Sequence, residues 1–318
     1  MDQMCQSGGP RFSNALSASL VRLVVAMTFM AAPAAAQERQ PAGPPQTDQT
    51  VPVTRGTRLT INNLAGEVVI RTWEKDALRV QARHSARVKV NIRQTEVGVT
   101  VRAASNGPSP SVDYEITAPT WMPIKADGTF AFIMVDGAQN EVAAETVRGD
   151  IVIKGGSGFV TAKTIEGEVI VENAKGRINA SSVNEKITIT GASGDIAAET
   201  TNGSITLTKV DAKSVDVATV NGNIIYDGVA VDGGRYSFVT HNGDILMGLP
   251  ETTNATFTVR TYNGTFRSDL PVKAQEDVRR GRRAIYTLGS GSAQIELESF
   301  SGTIRLRPPG VAVRRSRE

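Results

Sequence analysis

The sequence predicts an all-β protein whose body is a single-stranded β-solenoid, with about 18–21 residues and two strands per coil, behind an irregular N-terminal β cap. Three observations predict it: a nine-residue period that starts at Gly149, a large/small alternation that doubles the period to 18, and a corner motif that returns at every second turn. The 318-residue chain is long enough for a sizeable core. With 5% aromatic residues, two His and one Cys, it is poor stock for a metal cluster, a disulfide scaffold or a His-based triad.

Residues 1–36 read as a secretory signal. Arg11 and Arg22 supply the positive start, and an apolar run over 23–36 is broken by Thr28 and Pro33. A membrane span needs about 20 apolar residues, so an uncleaved anchor is the weaker reading. Ala34-Ala35-Ala36 has the small-x-small form of a cleavage site. Cleavage there removes Cys5 and places the rest of the chain outside the cytoplasm. Residues 37–52 form a polar, Pro-rich linker. Residues 53–118 hold several strand-like runs without the nine-residue phase and are assigned to the cap.

From 119 to 307 the repeats take over. Gly149, Gly158, Gly167, Gly176, Gly194 and Gly203 open successive nines. The third position is β-branched throughout: Ile151, Val160, Val169, Ile178, Ile187, Ile196 and Ile205. The fifth position alternates Ile153, Ala162, Val171, Ala180, Ile189, Ala198 and Leu207. Two walls about 10 Å apart cannot hold two large residues face to face, so large opposes small. A thin interior of this kind also accounts for the scarcity of aromatic rings.

Every second corner reads T-x-N-G or a close variant. In-register stacking makes Thr164, Ser182, Thr200, Thr219, Thr240 and Thr261 a hydroxyl ladder, and Asn184, Asn202, Asn221, Asn242 and Asn263 an amide ladder beside it. Asn-Gly also favours positive φ at a turn. Later corners are spaced more widely, and insertions such as 229–233 are expected as outer loops. A longer loop over 268–290 precedes the last strands, and 308–318 is a basic tail.

The sharper chemistries fare poorly. The nearest match to a calcium-binding nonapeptide, residues 155–163, has Val160 where Asp is required. Asp150 and Glu168 stack at one corner and are the best candidates for a carbohydrate-cleaving pair. Lys186 follows them in the same column, which favours a solvated charged corner. His241 occupies a slot that other coils fill with Val220, Tyr262 and Phe300, so it reads as a packing residue. His84 is isolated, and Trp73 and Trp121 read as cap packing. The net charge of +3 averages an acidic body with an Arg-rich end, since residues 279–318 hold nine Arg against three Glu. Arg279, Arg280, Arg282, Arg283, Arg314, Arg315 and Arg317 read as a solvated loop and tail.

At this point the residues resemble a known family. Residues 56–82, GTRLTINNLAGEVVIRTWEKDALRVQA, are similar to the opening of the bacterial exported adhesin-type β-strand-repeat proteins, the domain of unknown function 4097. VDYEITAP (112–119), the T-x-N-G-x-I repeats at 200–205 and 219–224, and TLGSGSAQIELESFSGTIRL (287–306) resemble its later parts. The family's Pro-x-Gly turn is replaced here by PTWMPIKADG, so 120–140 falls out of phase. The resemblance implies an exported β-repeat protein with an adhesive role and brings no catalytic residue. The expected function is a non-enzymatic adhesin or envelope scaffold without cofactor or metal. Its expected partners are envelope or surface glycans or proteins, not nucleic acid. A polysaccharide-active solenoid and an envelope-stress or signalling accessory are the alternatives.

Overall fold

The structure, a computed structural model, describes residues 46–105, 107, 110–275 and 283–310. The expected signal, most of the linker, six of the seven Arg of the basic loop and tail, and Cys5 lie outside the described residues. Among the described residues there are 23 strands and no helix.

The regular repeats build two parallel walls. In the first wall, β8 (Val142–Glu145), β10 (Ser157–Lys163), β12 (Lys175–Ser181) and β14 (Ser193–Thr200) pair side by side, aligning Val142, Val160, Ile178 and Ile196. In the second, β9 (Ile151–Gly155), β11 (Val169–Glu172) and β13 (Ile187–Thr190) align Ile151, Val169 and Ile187. Each step is 18 residues, the doubled period of the sequence. The inward residues Ile153, Ala162, Val171, Ala180, Ile189 and Ala198 are buried, in the expected large/small order.

The coils then widen. β15 (Ile205–Asn221) and β16 (Ile224–Asn242) each pass from the second wall into the first, and Ile196 pairs with Val215, which pairs with Tyr236. The extra residues leave the ladder as bulges, Lys213 between Ala212 and Ser214 and residues 231–234 opposite it in β16, with Asp232 and Gly233 exposed where the sequence predicts an outer insertion, while Val210, Ala212 and Ala230 stay paired and buried. The wider interior admits Tyr226, Tyr236, Phe238 and Phe257, so the thin-interior argument holds only for the 18-residue coils. Tyr226 meets Phe238 edge-on at 5.2 Å. The Tyr226 hydroxyl donates to the Val229 carbonyl (3.0 Å), and that of Tyr236 to the Ala212 carbonyl (2.6 Å), satisfying both buried hydroxyls.

The stack begins earlier than the glycine pattern suggests. β2 (Arg58–Trp73) and β7 (Ile124–Ala138) are complete coils: Leu59 pairs with Ile124, which pairs with Val142, and Val68 pairs with Ile133, which pairs with Ile151. Residues 120–140 are therefore in phase, with Met122 and Ala131 where later coils carry Gly. β5 (Gly98–Ser105) and β6 (Val112–Pro119) form a further coil on the outer side of β2. Irregularity is confined to the antiparallel strands β1 (Thr47–Pro52), β3 (Ala77–His84) and β4 (Val88–Gln94), which cover the outer edges.

The far end repeats this out-and-back path. After β17 (Ile245–Gly248), the chain lays down an outer coil, β18 (Ala255–Thr261) and β19 (Thr265–Ser268). The expected 268–290 loop contains β20 (Lys273–Ala274) and β21 (Arg283–Leu288), the latter antiparallel to β18. The chain then returns inward: β22 (Ala293–Ser301) sits between β16 and β18, and β23 (Thr303–Arg307) between β17 and β19. A clasp fixes the inserted coil. Arg307 is buried, and its guanidinium reaches the Asp227 carboxylate at 3.0 Å, two coils away. The contact crosses Gly248, where a Cβ would lie 1.8 Å from that carboxylate.

Ala180→Phe overfills a closed site and should lower unfolding free energy by roughly 1–3 kcal/mol, whereas the outward Thr188→Lys should stay within about 0.5 kcal/mol; denaturant titrations compare them. Tyr114 is buried with no partner for its hydroxyl, and burial pushes its pKa up to about 12 from 10.0. The unfolded chain therefore ionises first, so this stabilisation is complete below pH about 10 and is lost as pH rises towards about 12. Tyr114→Phe should be as stable as the parent at neutral pH and lose less stability in that alkaline window.

Candidate interaction ridge

The corner leading from the first wall to the second carries rows of like side chains stacked coil upon coil. Its construction starts with the glycines. Gly203, Gly222 and Gly243 do not adopt positive φ, contrary to the turn argument from Asn-Gly. They are required by close approach: a Cβ on Gly222 would lie 2.0 Å from the Gly203 carbonyl oxygen of the preceding coil.

The hydroxyl row serves those same corner carbonyls. Thr164, Ser182, Thr200, Thr219, Thr240 and Ser299 are buried, and each donates to the carbonyl of the residue that ends the preceding corner: Gly149, Gly167, Glu185, Gly203, Gly222 and Gly243, at 2.9–3.1 Å. The hydroxyls thus bond to backbone and not to one another. Thr261, on the outer coil, has no hydroxyl partner among the described residues. The amides do bond in series: Asn202 to Asn184 (3.1 Å), Asn221 to Asn202 (2.9 Å) and Asn242 to Asn221 (2.9 Å). Asn263 is separated from this series because the inserted coil places Ser301 next to Asn242.

Between the two rows runs a third, whose Val, Phe and Tyr suggest packing positions from the sequence but which faces outward. Val147, Ile165, Val183, Val220, Phe300 and Tyr262 are 37–46% exposed, and Thr201 and His241 share the row. His241 is therefore an exposed ring and not a core residue. It stacks on Phe300 (4.6 Å between centroids, 13° between planes), and Phe300 stacks on Tyr262 (5.2 Å, 26°). The result is an apolar ridge that ends in three stacked rings. Beneath the ring end lies a groove of about 500 Å³, floored by Ala218 and Val239 and flanked by Glu199 and Glu298. Glu298 pairs with Arg260 (3.2 Å), while Glu199 is exposed and has no ion-pair partner among the described residues. At the other end of the ridge, Arg148 binds Glu166 at 2.5 Å, which raises the Arg148 pKa and lowers that of Glu166.

The remaining sequence candidates have structural work. Asp150 accepts from the Glu168 backbone N–H at 2.8 Å, and Glu168 pairs with Lys186 at 2.9 Å, whose pKa it raises. Lower in the same column, Asn223 and Asp244 accept from the backbone of the next coil in the same way. Val160 is buried, which removes the calcium option at 155–163, and no group of three metal-binding side chains occurs among the described residues. His84 bonds Thr47 at 2.9 Å, Trp73 donates to the Ala77 carbonyl, and Trp121 donates to Asp76. Arg283 is exposed at the start of β21. On the outer face of the second wall, the mid-strand column carries Val69, Met134, Val152, Ile170, Ile225 and Leu246, all half-buried.

The hydroxyl row carries its own test. Thr219→Val leaves the Gly203 carbonyl without its partner and should cost about 1–2 kcal/mol of unfolding free energy. Thr261→Val, with no such bond to lose, should be near neutral in the same denaturant titration.

No curated protein matches the sequence. Among solved structures, a candidate cell adhesion protein from Clostridium sporogenes is similar at 9% identity, covering 84% of this chain and 100% of its own, with a TM-score of 0.25. A candidate adhesin from Parabacteroides distasonis is similar at 13% identity, covering 82% and 96%, with a TM-score of 0.36. No helix among the described residues is long and apolar enough to cross a membrane. The model of the Toastrack DUF4097 family matches residues 56–307, and the chain belongs to that family.

Proposed function

We propose that this chain is an exported, non-enzymatic β-solenoid that works as an adhesin or cell-envelope scaffold, with the corner ridge as its binding face. The apolar row carries the reading. Thr201 fills the same slot as Val183 and Val220 within an otherwise identical corner, so folding does not require an apolar residue there. Repeated Val, Ile, Phe and Tyr in a solvent-facing slot is the composition of a surface that another molecule covers. The adjoining groove, with exposed Glu199 beside Ala218 and Val239, favours a partner that brings apolar and cationic groups together. That partner is an envelope or surface component. The secretory signal, with cleavage near Ala36, places the ridge in the periplasm or at the cell surface.

Purified protein should bind a component on arrays of surface glycans or in isolated cell-wall and membrane fractions. Val220→Glu, which places a charge on the ridge, should weaken that binding at least about tenfold without moving the melting temperature. Thr206→Glu, on the second wall, should leave it unchanged. Equal binding by both variants removes the ridge from the interface. Cleavage of uronate polymers that is lost in Asp150→Asn replaces this reading with the enzymatic one.

A further inference from the structure

Four corners carry Asn followed by Gly: Asn202-Gly203, Asn221-Gly222, Asn242-Gly243 and Asn263-Gly264. All four Asn are exposed, so solvent access does not distinguish them. Their bonding does. Asn202, Asn221 and Asn242 each donate their side-chain amide to the preceding Asn, at 2.9–3.1 Å. The N–H groups of Gly222 and Gly243 are also engaged, each donating to the next coil: to Asn242 and to Ser301, both at 3.0 Å.

Neither restraint operates at the fourth corner. Ser301 of the inserted coil stands between Asn242 and Asn263, and the Asn263 side chain has no hydrogen-bond partner among the described residues. The following strand, β19, pairs only with β23, so no described coil lies beyond to accept the Gly264 N–H.

We propose that Asn263 is a site of spontaneous, self-catalysed modification, singled out from the other corner asparagines by its place at the end of the stack. The Gly264 backbone nitrogen attacks the Asn263 side-chain carbonyl carbon. A carbon–nitrogen bond forms, closing a five-membered succinimide. The bond from that carbon to the amide nitrogen breaks, and the nitrogen leaves as ammonia, taking up the proton that Gly264 gives up. Water then opens the ring at either carbonyl, leaving aspartate or its iso-linked isomer. The net change exchanges ammonia for water and requires neither oxidant nor reductant. The reaction needs a side chain free to turn towards the next residue and a backbone N–H free to lose its proton. The ladder withholds the first at three corners, and the next coil withholds the second at two of them. The product adds a negative charge to the corner next to Tyr262 and its ring stack.

The full-length protein is incubated folded at mildly alkaline pH, and each corner peptide is followed by mass spectrometry. Asn263 should convert at least roughly tenfold faster than Asn202, Asn221 and Asn242, the factor expected for releasing one or two hydrogen bonds before reaction. The Asn106-Gly107 pair, whose Asn106 lies outside the described residues, is scored separately. In urea the four corner rates should converge. Ser301→Asn, which supplies the missing rung between Asn242 and Asn263, should slow Asn263 in the folded protein. Equal rates at the four corners in the folded state, or a bias that persists in urea, overturns the proposal, as does a folded Ser301→Asn protein with an unchanged Asn263 rate.

Discussion

The constraint on which this structure depends is the spacing between coils. Neighbouring strands in a sheet lie about 4.8 Å apart, so each side chain meets its own counterpart one coil away. Whatever a slot contains must therefore tolerate a copy of itself at that distance. Inward slots meet this with β-branched residues stacked on one another. Corner slots meet it with Asn, whose amide both donates and accepts, or with carboxylates that turn to the next coil's backbone N–H or to a lysine, as in Asp150, Glu168 and Lys186. The last slot of the corner meets it by having no side chain, because the preceding coil's carbonyl occupies the space of a Cβ. The buried hydroxyl before it then satisfies that carbonyl, so the glycine and the hydroxyl are two halves of one local solution.

The same spacing makes the ends of the stack the weak points, since a last coil has unpaired strands. Both ends are handled alike. The chain steps outward by a coil, makes antiparallel strands that cover an edge, and returns inward. At the C-terminal end the returning segment is locked by Arg307 and Asp227 across Gly248. Removing either charge would strand the other in a largely desolvated position, so the pair specifies where the inserted coil sits.

The sequence disclosed what repeats and concealed what does not. Register and wall alternation between 149 and 207 are legible because every coil states them again. The coils at 58–73 and 124–138 keep the spacing of Leu59 to Val68 and Ile124 to Ile133, but Met122 and Ala131 stand where a glycine search expects Gly. The insertion of β22 and β23 leaves no periodic trace, because spatial order there differs from chain order. It also falsifies the simple ladder at its last rung, which is why Thr261 and Asn263 lack the bonds of their counterparts. The ridge is visible in the sequence as a column of repeated slots. Val, Phe and Tyr in a repeated slot suggest packing, and only the direction of the side chain distinguishes an outward corner from an inward wall.

The ring end of the ridge depends on the inserted coil. Its three members come from residues 241, 300 and 262, an order set by space and not by the chain. Without the inserted coil, His241 and Tyr262 would be adjacent or apart, but the stack centred on Phe300 would not exist. Glu298, which flanks the groove, arrives on the same strand. The regular coils therefore build the aliphatic part of the surface by repetition alone, whereas the aromatic and acidic part is assembled only when the chain has gone out, turned and come back. A partner that covers the ring end would bind the completed stack in preference to one with its last coil displaced. By linkage, it would stabilise the insertion that the Arg307–Asp227 pair already holds.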